Sequence, residues 1–110
     1  MPHIVIFMKC PSHVVAKVVQ KAMEARQKNL FPDDESIQEN LVLSAWKTCE
    51  DGVQFLSVTL VKEGKLEEAL KAIYKEMIYY SEIEGYELSI EVWGTMQEGF
   101  EALGMESPSD

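Results

Sequence analysis

The sequence predicts an α+β domain, and three observations carry that prediction. The stretch "YELSIEVWG" (86–94) alternates apolar and polar residues with the period of a half-buried strand. In "KLEEALKAIYKEMIYYSEI" (65–83), Leu66, Ala69, Leu70, Ile73, Met77 and Tyr80 recur at helical spacing on one face. Between two β-rich runs sits an Asp-Gly pair, a hairpin signal.

The elements follow in chain order. "HIVIFMK" (3–9) is apolar at nearly every position, as expected of a central strand covered on both faces. Pro11 and Ser12 stop it, and Ser12 is read as the N-cap of a helix over "HVVAKVVQKAMEARQK". Val15, Val18, Val19, Ala22 and Met23 form its apolar stripe. Its valines are poor intrinsic helix formers, so packing must hold it. "NLFPDDESIQEN" (29–40), with Pro32, two aspartates and a serine, reads as a loop. "LVLSAWKT" (41–48) reads as a strand, "CEDG" (49–52) as a turn and "VQFLSVTLVK" (53–62) as a third strand.

Gly64 ends that strand and Gly85 ends the second helix, in which Glu67 and Lys71 form an i,i+4 pair. After the fourth strand, Thr95 with Glu98 three residues on is a capping-box pattern for a short helix to about Leu103. We expect a single domain over residues 1–104 and a flexible acidic tail over 105–110.

A βαββαβ order with right-handed crossovers is that of a ferredoxin-like sheet. The expected strand order is 4-1-3-2, with both helices on one face and a short C-terminal helix. Alternation then divides the residues. Toward the helices we expect Leu88, Ile90 and Val92 with Leu56, Val58 and Leu60, and Ile4, Ile6 and Met8. The opposite face is expected to carry His3, Val5, Phe7 and Lys9; Ser44, Trp46 and Thr48; Phe55, Ser57, Thr59 and Val61; and Glu87, Ser89, Glu91 and Trp93. Antiparallel pairing of the first and last strands brings Lys9 near Glu87 and His3 near Glu91.

That second face is too apolar to stay bare and too polar for a dry core. A second copy of the same sheet is the economical cover. The element order and the mixed face, over roughly residues 3–94, resemble the dimeric α/β-barrel superfamily, in which two ferredoxin-like sheets pack face to face. The resemblance implies a homodimer through the open face and a cavity beside it. The superfamily includes cofactor-free monooxygenases, isomerases, dehydratases, haem-linked members and ligand-sensing domains, so no one chemistry follows.

The expected function is binding of a small, partly apolar molecule in a cavity lined by the open face, at Trp46, Phe55, Ser57, Thr59, Trp93 and Tyr80. One alternative is a cofactor-free enzyme of monooxygenase or isomerase type, with His3 and Glu91 as the catalytic candidates, since a carboxylate beside an imidazole can orient it for proton transfer. The other is a protein-interaction module. Whether the chain is an enzyme is left open by its sequence. No cofactor and no metal are expected: Cys10 and His13 with Cys49 make a weak zinc pattern, and "PDDES" lacks the glycine and ligand spacing of a calcium loop. Cys10 is read as lying in a strand-to-helix turn, with both cysteines free thiols of a reducing compartment.

The net charge is −9, and from Met77 onward there are eight acids (Glu82, Glu84, Glu87, Glu91, Glu98, Glu101, Glu106, Asp110) and no Lys or Arg. Such a surface repels nucleic-acid phosphates, so no nucleic-acid partner is expected. No apolar run reaches the ~20 residues of a membrane helix, and "HIVIFM" is too short for a signal peptide. The expected location is the cytoplasm.

Overall fold

The computed structural model describes residues 1–106; positions 107–110, most of the expected tail, lie outside the described residues. The elements are β1 (His3–Cys10), a 3-10 turn (Ser12–Val14), α1 (Val15–Gln27), β2 (Gln38–Cys49), β3 (Gly52–Val61), α2 (Leu66–Tyr80), β4 (Glu87–Trp93) and α3 (Met96–Ala102). The four strands form one antiparallel sheet in the order β2-β3-β1-β4, which counted from the β4 edge is β4-β1-β3-β2. The two innermost strands are β1 and β3. The result is a small α+β fold. Among the described residues no helix is long and apolar enough to cross a membrane.

One core lies between the sheet and the helices. Val14 and Val18 from the first helical segment and Ala69, Ile73, Met77 and Tyr80 from α2 close over Ile4, Ile6 and Cys10 of β1 and Phe55 and Val61 of β3. The α2 stripe is the one its spacing predicts. On α1 the stripe rotates: Val18 and Ala25 are buried, whereas Met23 is exposed. Ser12 does not cap α1. The Val14 N–H donates to the Pro11 carbonyl instead, making a 3-10 turn that delays the α-helix to Val15.

The β2–β3 hairpin is tighter than expected. Cys49 pairs with Gly52, leaving Glu50 and Asp51 as a two-residue turn. Gly52 has φ +148°, and a Cβ there would fall 2.1 Å from the Cys10 carbonyl oxygen, so no other residue fits without displacing the chain. β2 also begins earlier than expected, at Gln38. It is an edge strand with register shifts between Asn40 and Val42 and between Val42 and Ala45. Such bulges uncouple backbone groups from the ladder. The Ser57 hydroxyl donates to the Leu43 carbonyl at 2.7 Å, and the Thr59 hydroxyl to Asn40 Oδ1 at 3.3 Å.

These bonds explain a correction. Phe55, Ser57, Thr59 and Val61 do not lie on the open face. They pair with Met8, Ile6, Ile4 and, through its backbone, Pro2, on the side that the helices cover. Phe55, Thr59 and Val61 are buried. Trp46 and Thr48, in register with Phe55 and Val53, share that side. Leu56, Val58 and Leu60, expected in the core, take the opposite face. Both phases of "VQFLSVTLV" are apolar enough to be buried. The phase that wins also brings the Ser57 hydroxyl to a backbone carbonyl of the bulged edge and the Thr59 hydroxyl to the Asn40 side chain.

Candidate functional site

The registers of the three strand pairs build the open face row by row. Partners that face each other across a ladder share a side. Lys47, Gln54, Lys9 and Glu87 form the first row; Ala45, Leu56, Phe7 and Ser89 the second; Val42, Val58, Val5 and Glu91 the third; and Glu39, Leu60, His3 and Trp93 the fourth. The two middle rows are apolar except along β4. Both end rows are polar apart from Leu60 and the indole.

This face is uncovered. Phe7 is 40% and Trp93 52% exposed, whereas Val5, in the middle of it, is sheltered by its neighbours to 6%. Two open concavities lie along it. One, of about 600 Å³, is bounded by Phe7, Lys9, Lys47, Gln54, Leu56 and Glu87. The other, of about 440 Å³, is bounded by His3, Phe7, Val58, Trp93, Thr95 and Met96. Both fall in the range that small ligands occupy. The second is walled by the start of α3. There the Thr95 hydroxyl accepts from the Glu98 N–H, and the Glu98 carboxylate accepts from the Thr95 N–H at 2.7 Å. This capping box turns the chain out of β4 at the sheet's rim. The bond from the Thr95 N–H is the main cause that holds the Glu98 carboxyl below its usual range, helped by the charges of the N-terminus and His3.

Of the six residues expected to line a ligand site, only Trp93 lies on the open face. Trp46 and Phe55 meet edge-to-face at 4.9 Å on the helix side, near Ser57 and Thr59. Tyr80 is buried in the core. The two catalytic candidates do share the open face, but one pair out of step: His3 stands opposite Trp93, and Glu91 opposite Val5. The Glu91 carboxylate instead accepts from the Trp93 indole N–H at 2.9 Å. Lys9 and Glu87 are partners, as the alternation predicts. Sequence reasoning missed Lys47, Gln54, Leu56, Val58 and Met96. The one available signal was that a two-residue turn at Glu50–Asp51 would set Lys47 beside Gln54, but that local register does not say which face they take.

Charge is arranged unevenly on this surface. The Lys9 ammonium donates to Asp51 Oδ2 at 2.8 Å, which raises the Lys9 pKa and lowers that of Asp51. Lys47 makes no ion pair among the described residues.

A second cluster lies on the helix side. Tyr79 contacts Phe31 and Tyr80 edge-on, at 5.4 and 5.3 Å, and Tyr80 lies 5.6 Å from Tyr86. The Tyr79 hydroxyl donates to the Lys21 carbonyl, and the Lys21 ammonium sits 4.1 Å from the Tyr79 ring centre while bonding to Glu82. Burial, then the nearby Glu76 and Tyr79, pushes the Tyr80 phenol up to about 12. Tyr86 shifts the same way, chiefly from burial. Burial, then Asp33, also raises the Glu76 carboxyl. The same packing opposes ionisation of all three groups, and the tyrosine contacts tie α1 and the following loop to α2.

Cys10 is 1% exposed, and burial, then Cys49, raises its thiol, the reverse of an activated nucleophile. His13 is exposed on the 3-10 turn. Among the described residues, no three His, Cys, Asp or Glu side chains gather as metal ligands would. Compared with protein-family models, curated proteins and solved structures, the chain has no significant match to any of them.

Proposed function

We propose that the open sheet face is the functional surface: it pairs two copies of the chain, and a small, partly apolar molecule binds against it. On this reading the domain is ferredoxin-like and the assembly is a dimeric α/β barrel. The observation that carries it is the bare apolar centre of the face, formed by Ala45, Leu56, Phe7, Val42, Val58 and Val5. A contiguous apolar surface with a polar rim is a feature of interfaces and ligand grooves. Charge favours a second copy as the cover. The polar rim carries both signs, Lys47 at the β2 end and Glu87 and Glu91 along the β4 edge, so a twofold copy need not set like charges against each other. The two concavities supply space for the molecule between or beside the sheets.

Proton transfer by His3 and Glu91 loses support, because Glu91 is engaged by Trp93 and stands one pair away from His3.

The test is native mass spectrometry of the purified chain beside the Leu56→Asp variant. The expected result is a dimer for the parent, with any retained small molecule seen as added mass, and a monomer with an unchanged circular dichroism spectrum for the variant. A parent that is monomeric at tens of micromolar, or a variant that still dimerises, would overturn the reading.

A further inference from the structure

We propose that the molecule held on the open face carries an anionic head and an apolar body, the head at Lys47 and Gln54 and the body over Leu56 and Phe7. This rests on the ligand-binding reading above and names the class of ligand. The row Lys47–Gln54–Lys9 runs across three adjacent strands along the mouth of the larger concavity. Its members differ in what they have left to offer. Lys9 is engaged by Asp51 at 2.8 Å and stands beside Glu87, so much of its charge is balanced. Lys47 forms no ion pair among the described residues, so its ammonium is available to a ligand at the mouth of the concavity. Between the two lysines, Gln54 adds an amide that can donate to an oxyanion.

One row further in, the surface turns apolar at Leu56 and Phe7. An ammonium head would meet two lysines here, and an uncharged molecule would offer no oxyanion to the Lys47 ammonium and the Gln54 amide at the mouth of the concavity. A carboxylate on a hydrocarbon or aromatic body satisfies both rows at once. A long polyanion is disfavoured, because Glu87 and Glu91 line the adjacent edge.

The experiment uses the 110-residue chain labelled with ¹⁵N and with ¹³C methyl groups, titrated separately with octanoate, 4-phenylbutanoate and octan-1-ol. Shifts are followed at the Gln54 side-chain amide and the Leu56 methyls. The expected result is that at least one acid binds about tenfold or more tightly than the alcohol, as a charge-assisted bond at the head would give. The tighter acid tells an aliphatic body from an aromatic one. Lys47→Met, at an exposed position, is expected to remove the preference for the acid, so that acid and alcohol bind with similar affinity. Equal affinities for acids and alcohol, or a preference that survives Lys47→Met, would overturn the anionic-head assignment while the apolar site stands. Absence of shifts with all three probes would overturn the assignment together with the ligand-binding reading.

Discussion

Phe55 and Leu56 are neighbours on one strand with opposite faces, and truncating each to alanine should give unequal losses. Phe55 is 6% exposed, lies in the core cluster and meets Trp46 edge-to-face at 4.9 Å. Removing a buried phenyl ring and leaving its cavity costs about 3–5 kcal/mol. That is a large share of the ~5–15 kcal/mol typical of a domain. Leu56 is only partly buried, with one side of it open to solvent. Area lost from water there gives about 1 kcal/mol for the isolated chain. Urea unfolding followed by circular dichroism, at protein concentrations low enough to separate copies, reads both losses from the midpoints and slopes. Raising the concentration should then enlarge the effect of Leu56→Ala but not that of Phe55→Ala, because only the former lies on the proposed contact surface. A larger loss for Leu56→Ala than for Phe55→Ala at low concentration would mean that the strand faces are assigned backwards.

Gly52→Ala should destabilise the chain by several kcal/mol, seen as a much lowered thermal midpoint, since its Cβ would overlap the Cys10 carbonyl at a φ that L-residues avoid. Thr95→Ala removes one half of the capping box and should cost α3 about 1 kcal/mol, read as faster amide exchange over residues 96–102. Glu76→Gln should raise the midpoint at neutral pH. The folded pKa of Glu76 lies above its unfolded value, so the native state prefers the protonated form. Its stabilising preference is complete below the unfolded carboxyl pKa and is lost as pH rises through the folded one. The gain from Glu76→Gln should therefore shrink as the pH is lowered through the acid range, and a gain that is constant with pH would refute this assignment.

Where several local signals agree, the sequence is informative. The α2 stripe from Ala69 to Tyr80 repeats over about three turns, and Thr95 and Glu98 cap each other within three residues, so both are legible without knowledge of anything distant. β1 and β4 are legible for a similar reason: Lys9 opposite Glu87 and the alternation of "ELSIEVW" agree on one phase. β3 offers no such agreement. Val53, Phe55 and Val61 make one plausible buried set, and Leu56, Val58 and Leu60 make another. The choice is made by pairing with β1, across more than forty residues of intervening chain, and by the bulges of β2. That single phase decides most of the candidate site, which is why Lys47 and Gln54 were invisible and Phe55, Ser57 and Thr59 were misplaced. The early start of β2 was hidden for a different reason. Glu39 and Asn40 have low strand propensity and are held in the ladder by Leu60 and Thr59 of their partner.

The irregular register of β2 bears on how copies of this chain can meet. A long, regular edge strand invites another edge to join it, and the product has a free edge of its own, so growth has no natural stop. Two dislocations within the first eight residues of β2 spoil that template, and on the other flank Glu87 and Glu91 crowd any incoming strand with like charge. Growth by strand addition is thus discouraged at both margins, leaving the broad surface of the sheet for contact. A twofold contact there uses each copy's surface once and is then complete, which favours a closed pair over a fibre.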